Sequence, residues 1–327
     1  MAQPRITLEH FHEQLALRWA PIHYQDVDQT GADALGGKSD FITAIDYDGD
    51  WISRNNWENL PSYPARAVAY WSVVSTDTHW YIVYAFFHPR DWCDWPGCGL
   101  VDKHENDFEG QLVIIRRPAA FGPREYGRLQ GIITIFHTDF FAYTPQGGAR
   151  CALPASPLRN GGEDIDGALS CRAHDGVLRH VTAQEAKGHG MKAWPYLDIH
   201  GGDGVIYYPS MRESGEPDGP NDRNVAYRLV SFFAPGGVWA RRNDPRTFAE
   251  FGVMAGNEGM DNRAAMPWRW NDKNDGPELP GGEMAMDPAK LARIYFTGET
   301  FSGNYLSHPY RGLQRTDPAY EAWLRAN

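Results

Sequence analysis

No stretch of this 327-residue chain approaches the roughly 18 consecutive apolar residues of a membrane-spanning helix. The N-terminal segment "MAQPRITLEHFHEQLALRWA" lacks the apolar centre of a signal peptide and carries too many charges for one. That leaves an intracellular protein or a mature form whose leader has been trimmed. Positive charge is in short supply: 31 Lys and Arg stand against 42 Asp and Glu, a formal net charge of -11. A general grip on nucleic acid needs clustered cations, so that class is excluded, while a cation ligand or a locally basic pocket stays open. Cysteine is scarce, with Cys93, Cys98, Cys151 and Cys171 only. The pair in "CDWPGC" is not spaced C-x2-C and no second pair matches it, which argues against a zinc knuckle. A local Cys93–Cys98 bond, with Cys151–Cys171 closing a second loop, stands beside the alternative of free thiols. Also absent are a G-x-S-x-G elbow, a P-loop and a G-x-G-x-x-G fingerprint. "GGDG" at 201–204 follows no strand–helix pattern, so nucleotide cradling is not expected.

Aromatic residues, by contrast, are plentiful at 13%, and 34 Gly and 23 Pro punctuate the chain. Both features favour short strands joined by irregular loops. Leu8, Phe11 and Leu15 recur at helical spacing behind Thr7, which predicts an N-terminal helix over 5–18. "DFITAIDYDGDW" alternates like a strand and then turns; its acidic turn lacks the length and closing Glu of an EF-hand. "ARAVAYWSVVST" and "HWYIVYAFFHP" read as a central hairpin, and "FEGQLVIIRR" and "REYGRLQGIITIFHTDFFAY" as a second pair. "RHVTAQEAKGHG", "GVIYYPS" and "AYRLVSFFA" read as further strands, and 145–170 as a long loop. Near the C-terminus "RTFAEFGVMAG", "DPAKLARIYF" and "DPAYEAWLRAN" read as short helices. The expectation is a mostly β protein: one domain over 1–327, with an antiparallel β-sandwich core at about 35–235, short flanking helices and long loops.

The chemistry concentrates in "KHENDFEG" at 103–110. If Asp107 begins a strand, Glu109 lies on the same face, because strand side chains repeat every second residue. His104 then sits in the preceding loop and can curl over that face. An imidazole with two carboxylates suits a hard divalent ion, Ca²⁺ or Mg²⁺ ahead of Mn²⁺ or Zn²⁺. A charged turn before an edge strand is the plainer reading of the same residues. His137 lies inside an apolar strand expected to neighbour this one, either as a satisfied core residue or pointing at the same face. His189 is flanked by glycines in "AKGHGMKAW", which allows close backbone approach, and His200 and Asp203 repeat the theme in "DIHGGDG". His137 and His189 are therefore candidate additional ligands, or candidate general bases beside a metal-bound water.

H-x-x-D-x-E followed by an apolar strand resembles the G-H-R-H-D-W-E heptapeptide of the necrosis- and ethylene-inducing, or NPP1-like, proteins. The order of motifs from "LALRWAPIHYQDVDQ" through "WYIVYAFFHPRDW", "HENDFEG", "ITIFHTDFF" and "QEAKGHGMKAW" is similar to that of Vps62-related proteins, over roughly 12–210. The resemblance implies a β-sandwich with a divalent cation at one end. His104, Asp107 and Glu109 fall on the heptapeptide's first histidine and two acids. Asn106 and Phe108 stand where it has His and Trp. The upstream aspartate ligand has three candidates, Asp102, Asp94 and Asp91. In the NPP1-like proteins the site serves sphingolipid head-group binding and membrane damage, an activity not carried over to this chain.

Two functions follow as expectations. The first is a divalent-cation-binding protein that recognises a small polar ligand, a glycan or a lipid head group, with loop Trp residues in "RDWCDWPGCG" and "PWRWND" as stacking platforms. The second is a metal-dependent hydrolase built on the same His, Asp and Glu residues. A third reading gives the charges a purely structural role.

Overall fold

The computed structural model describes residues 7–119, 125–199, 203–273, 279 and 281–326. Helix α1 (Leu8–Trp19) starts where Thr7 Oγ1 accepts the His10 N–H at 3.2 Å, and it buries Phe11, Leu15, Ala16 and Trp19. It precedes a 14-stranded sheet. The strands are β1 (Ile22–Gln25), β2 (Val68–Thr76), β3 (His79–Asp91), β4 (His104–Arg116), β5 (Arg128–Phe136), β6 (Asp139–Thr144) and β7 (Gly167–Ala168). They continue as β8 (Cys171–His174), β9 (Val177–Gln184), β10 (Met191–Ala193), β11 (Val205–Ser210), β12 (Val225–Ser231), β13 (Tyr305–His308) and β14 (Leu313–Gln314). The spatial order is β10-β9-β1-β11-β12-β2-β3-β4-β5-β6-β7, with β8 on β9 and the β13–β14 pair on β2.

The protein is mostly β, as expected, but its sheet is mixed rather than antiparallel. Sequence neighbours from β2 to β6 do pair antiparallel, across tight turns at β2–β3 and β5–β6 and across longer loops at β3–β4 and β4–β5. The pairs β1–β9, β11–β12, β12–β2 and β6–β7 are parallel, made possible by the long connections between those strands. Two facing antiparallel sheets are not what the chain builds. One sheet curls until its edge strand β10 returns against β4 and β5. Strand β1, outside the expected core limits, lies inside it between β9 and β11.

Both faces of the central strands are buried. On β3, Tyr81, Val83, Ala85 and Phe87 join one core, which also takes in Met266, Trp268, Trp270 and Leu291 from the C-terminal region. Trp80, Ile82, Tyr84 and Phe86 join the opposite core, with Leu15 of α1 and Tyr207 and Tyr227 of the curled half. This double burial is why β3 reads as continuous apolar sequence rather than alternation.

Other expectations are corrected locally. Residues 41–50 form an isolated Thr43–Phe87 bridge and then turns, where Asp48 Oδ1 accepts the Asp50 N–H and Asp50 Oδ1 accepts the Ile52 N–H. "RTFAEFGVMAG" is a small hairpin, Phe248–Glu250 with Val253–Met254, rather than a helix. The expected helix at "DPAKLARIYF" is present as α2 (Pro288–Tyr295), capped by Asp287, and the chain closes with α3 (Pro318–Ala326). Both cysteine pairs, Cys93–Cys98 and Cys151–Cys171, are bonded. Among the described residues no helix is long and apolar enough to cross a membrane.

Candidate functional site

Strand β4 begins with a conformational break. Asn106 has φ 64°, a left-handed backbone that costs a non-glycine residue about 1–2 kcal/mol unless its surroundings hold it. They do. Its fully buried amide donates to Ser53 O and Ala255 O, both at 2.9 Å, while Asn56 Nδ2 donates to its Oδ1 at 2.6 Å. The break resets the two-residue alternation of the strand. Glu105 leaves the 107/109 face, where its carboxylate accepts the Trp57 and Asn257 backbone N–H groups at 2.9 Å. His104 joins that face instead.

His104, Asp107 and Glu109 consequently line one cavity of about 310 Å³, together with Asp91, Asp102 and His137. Asp91, His104 and Asp107 each offer a ligand atom within 4.8 Å of the others. Asp91 is the Cα partner of His104 across the β3–β4 ladder, and its Oδ2 lies 3.2 Å from His104 Nε2. His104 Nδ1 donates to the Asn106 carbonyl at 2.7 Å, which leaves Nε2 as the nitrogen facing the acids. Of the three upstream aspartates, Asp91 therefore completes the close group. Asp102 lines the cavity from an exposed position, and Asp94 is held by Lys187 Nζ at 2.9 Å instead.

Glu109 is 4% exposed; its Oε1 accepts the His137 backbone N–H at 3.0 Å, and its Oε2 has no partner among the described residues. Burial, then the charge of Asp107, pushes its carboxyl well above the usual range. Burial also raises Asp91. Burial opposes a charge on His104, but the bond and charge of Asp91 outweigh it and lift the imidazole to about 9. A buried carboxylate oxygen without a donor among the described residues, beside the close Asp91, His104 and Asp107 group, is an arrangement that could hold a cation. The close group offers two carboxylates and one imidazole.

The remaining histidines divide. His137, at φ 58° between β5 and β6, lines the cavity and pairs with Glu185 at 3.0 Å. His189 is fully buried beneath it and uses both ring nitrogens: Nδ1 lies 3.1 Å from Asp107 Oδ2, and Nε2 lies 3.3 Å from Asp40 Oδ1. It braces Asp107 and has no nitrogen left for a metal. Burial opposes its charge, yet Asp107 and Asp40 together raise it to about 10. The flanking glycines make this placement possible. A Cβ on Gly188 would meet His137 Cε1 at 2.8 Å, and one on Gly190 would meet the Phe136 ring at 2.6 Å. Asp203 accepts from Gln29 and Asn221, outside the cavity, and His200 lies outside the described residues.

Three contributors were not legible in the sequence. Asp40 opens the segment that alternates like a strand, where nothing marks it as a partner of the site. Arg263 and Asn271 enter the cavity from the C-terminal region. Of the Trp residues expected as stacking platforms, Trp92, Trp268 and Trp270 are buried, and Trp95 alone stands out at 49% exposed.

No protein-family model matches the sequence, and no curated protein matches it. Among solved structures, the chain is similar to necrosis- and ethylene-inducing proteins, the family whose heptapeptide the acidic segment resembles. The non-toxic HaNLP3 protein is 13% identical, with 74% of this chain and 83% of that one covered at a TM-score of 0.33. Necrosis and Ethylene inducing Protein 2, from the causal agent of cocoa's Witches Broom disease, is 15% identical, covering 71% of this chain and 80% of its own at a TM-score of 0.31. NLPPya in complex with glucosamine is 12% identical, covering 86% and 89% at a TM-score of 0.35.

Proposed function

We propose that the cavity binds a divalent cation, Ca²⁺ or Mg²⁺, through Asp91, His104 and Asp107, with Glu109 as a further oxygen donor. The cation in turn recognises a small polar ligand: a glycan or a polar head group, including that of a lipid. The carrying observation is the convergence of Asp91, His104 and Asp107 ligand atoms within 4.8 Å of one another on an open cavity. A hard cation takes about six to eight oxygens, and the protein supplies only some of them, so positions remain for ligand oxygens. His189 holds Asp107 in place, and the His104–Asn106 bond fixes which imidazole nitrogen faces the ion. Calorimetry with CaCl₂ and MgCl₂ on the wild type and Asp107→Asn tests the reading. Binding by the wild type, weakened at least about 10-fold in the variant, supports it. No heat with either ion, or equal binding by both proteins, refutes it.

A metal-dependent hydrolase is the second reading, and the His137–Glu185 pair at the cavity is what favours it. There His137 would accept a proton from a water on the cation, with Glu185 orienting the ring. His189 is not a candidate base, since it is buried with both nitrogens engaged. A panel of esters and phosphodiesters with Ca²⁺, Mg²⁺, Mn²⁺ or Zn²⁺ decides. Turnover abolished by His137→Gln supports hydrolysis, and inactivity across the panel counts against it.

A further inference from the structure

Among the described residues that line the cavity, Arg263 is the one arginine or lysine. Arg263 lines the same cavity, is exposed, and forms no hydrogen bond or ion pair with any described residue. This is unusual beside so many carboxylates, none of which takes its guanidinium within ion-pair distance. The segment that carries it is fastened to the site strand itself. Met260 N donates to Lys103 O at 2.8 Å, His104 forms a bridge with Gly259, and Asn257 N donates to the Glu105 carboxylate at 2.9 Å. Asn262 Oδ1 accepts the Gly256 N–H at 3.0 Å and closes the loop on itself. The backbone that leads to Arg263 is thus fastened beside Lys103, His104 and Glu105, and the guanidinium has no partner among the described residues.

We propose that Arg263 selects an anionic, polyhydroxylated ligand, a sugar bearing a carboxylate or a phosphate. Its hydroxyl oxygens complete the shell of the cation and its anionic oxygens meet the guanidinium. This inference rests on the cation reading above and adds the charge of the ligand to it. A planar fork of N–H donors matches two oxygens of a carboxylate or phosphate, and such pairs are stronger than neutral hydrogen bonds. The cavity volume of about 310 Å³ is of the order that holds a single sugar unit. Thr138 and Asn271 add a hydroxyl and an amide to the lining.

The test is calorimetry on the full chain, first with CaCl₂ alone, then in saturating CaCl₂ with glucose, glucosamine, glucuronate and glucose 6-phosphate. The same series is run on Arg263→Gln. The inference predicts that the wild type prefers glucuronate, glucose 6-phosphate or both over glucose by at least about 10-fold, the scale of one charge-assisted pair. Arg263→Gln keeps its Ca²⁺ affinity and loses that preference. Which anion wins distinguishes a carboxylate from a phosphate ligand. Ca²⁺ binding with no preference for the anionic sugars, or a preference that survives in Arg263→Gln, overturns the role of Arg263 and leaves the cation reading standing. If Ca²⁺ does not bind, the same series is run in MgCl₂, and absence of binding to both ions overturns both.

Discussion

Asp91 and His104 are direct partners across the β3–β4 ladder, and their side chains meet at 3.2 Å at the cavity. The pairing joins the end of one long strand to the start of the next, across the loop stapled by Cys93–Cys98. Replacing Asp91 by Asn keeps the shape and removes a charge. In a thermal-melt series the wild type should gain stability with CaCl₂ as RT ln(1 + [L]/Kd), about 2.7 kcal/mol at a hundredfold excess over Kd. With Kd raised at least about 10-fold, Asp91→Asn should gain no more than about 1.4 kcal/mol at the same CaCl₂ concentration.

Asn106 is expected to be costly to replace. Asn106→Ala removes three buried hydrogen bonds and leaves Ser53 O and Ala255 O without this donor. A loss of about 2–4 kcal/mol in urea unfolding is expected. Asn106→Gly relieves the φ of 64° but not the lost bonds, so it should fall between Ala and wild type.

Gly190→Ala tests the close approach beneath the site. Its Cβ would press on the Phe136 ring at 2.6 Å, so the His189 segment must shift. A loss of about 1–3 kcal/mol is expected, with weaker cation binding because Asp107 loses its brace. Unchanged stability and affinity would contradict the bracing role.

Acid should destabilise the fold well above the carboxylate range. Burial depresses His23 and His180 to about 3, and His12 and His79 to about 4; Arg179 adds to the effect on His180. Each is neutral when folded and protonates when unfolded near its ordinary value of 6.5. The unfolded state therefore binds more protons below that pH, and the stability present above it is lost as pH falls towards 3–4. The slope is about 1.4 kcal/mol per pH unit for each such histidine. His180→Gln should flatten the slope by about that amount in urea titrations between pH 6 and 4.5, and an unchanged slope would contradict the account.

The strands of the centre were legible because their composition is extreme: β2 to β5 are aromatic and β-branched runs with turns between them. The tight turn between β2 and β3 made their antiparallel pairing legible. The parallel pairs were not legible, since which distant strands meet is fixed by long connections that carry no local pattern. Strand β1 was missed for the same reason, being four residues long between a helix and a loop. At the site, "HENDFEG" and the Gly-His-Gly segment stood out by residue type and spacing. The left-handed Asn106, which decides that His104 rather than Glu105 faces the cavity, is set by tertiary bonds to Asn56, Ser53 and Ala255. Asp40 and Arg263 reach the site by folding alone.

The central claim is a cation held by Asp91, His104 and Asp107. Its most direct test is calorimetric titration of chelator-treated protein with CaCl₂ and MgCl₂, alongside Asp91→Asn and Asp107→Asn. One site per chain in the wild type, weakened at least about 10-fold in both variants, is the predicted result. A wild type that takes up neither ion, or variants that bind as well as it does, would contradict the claim.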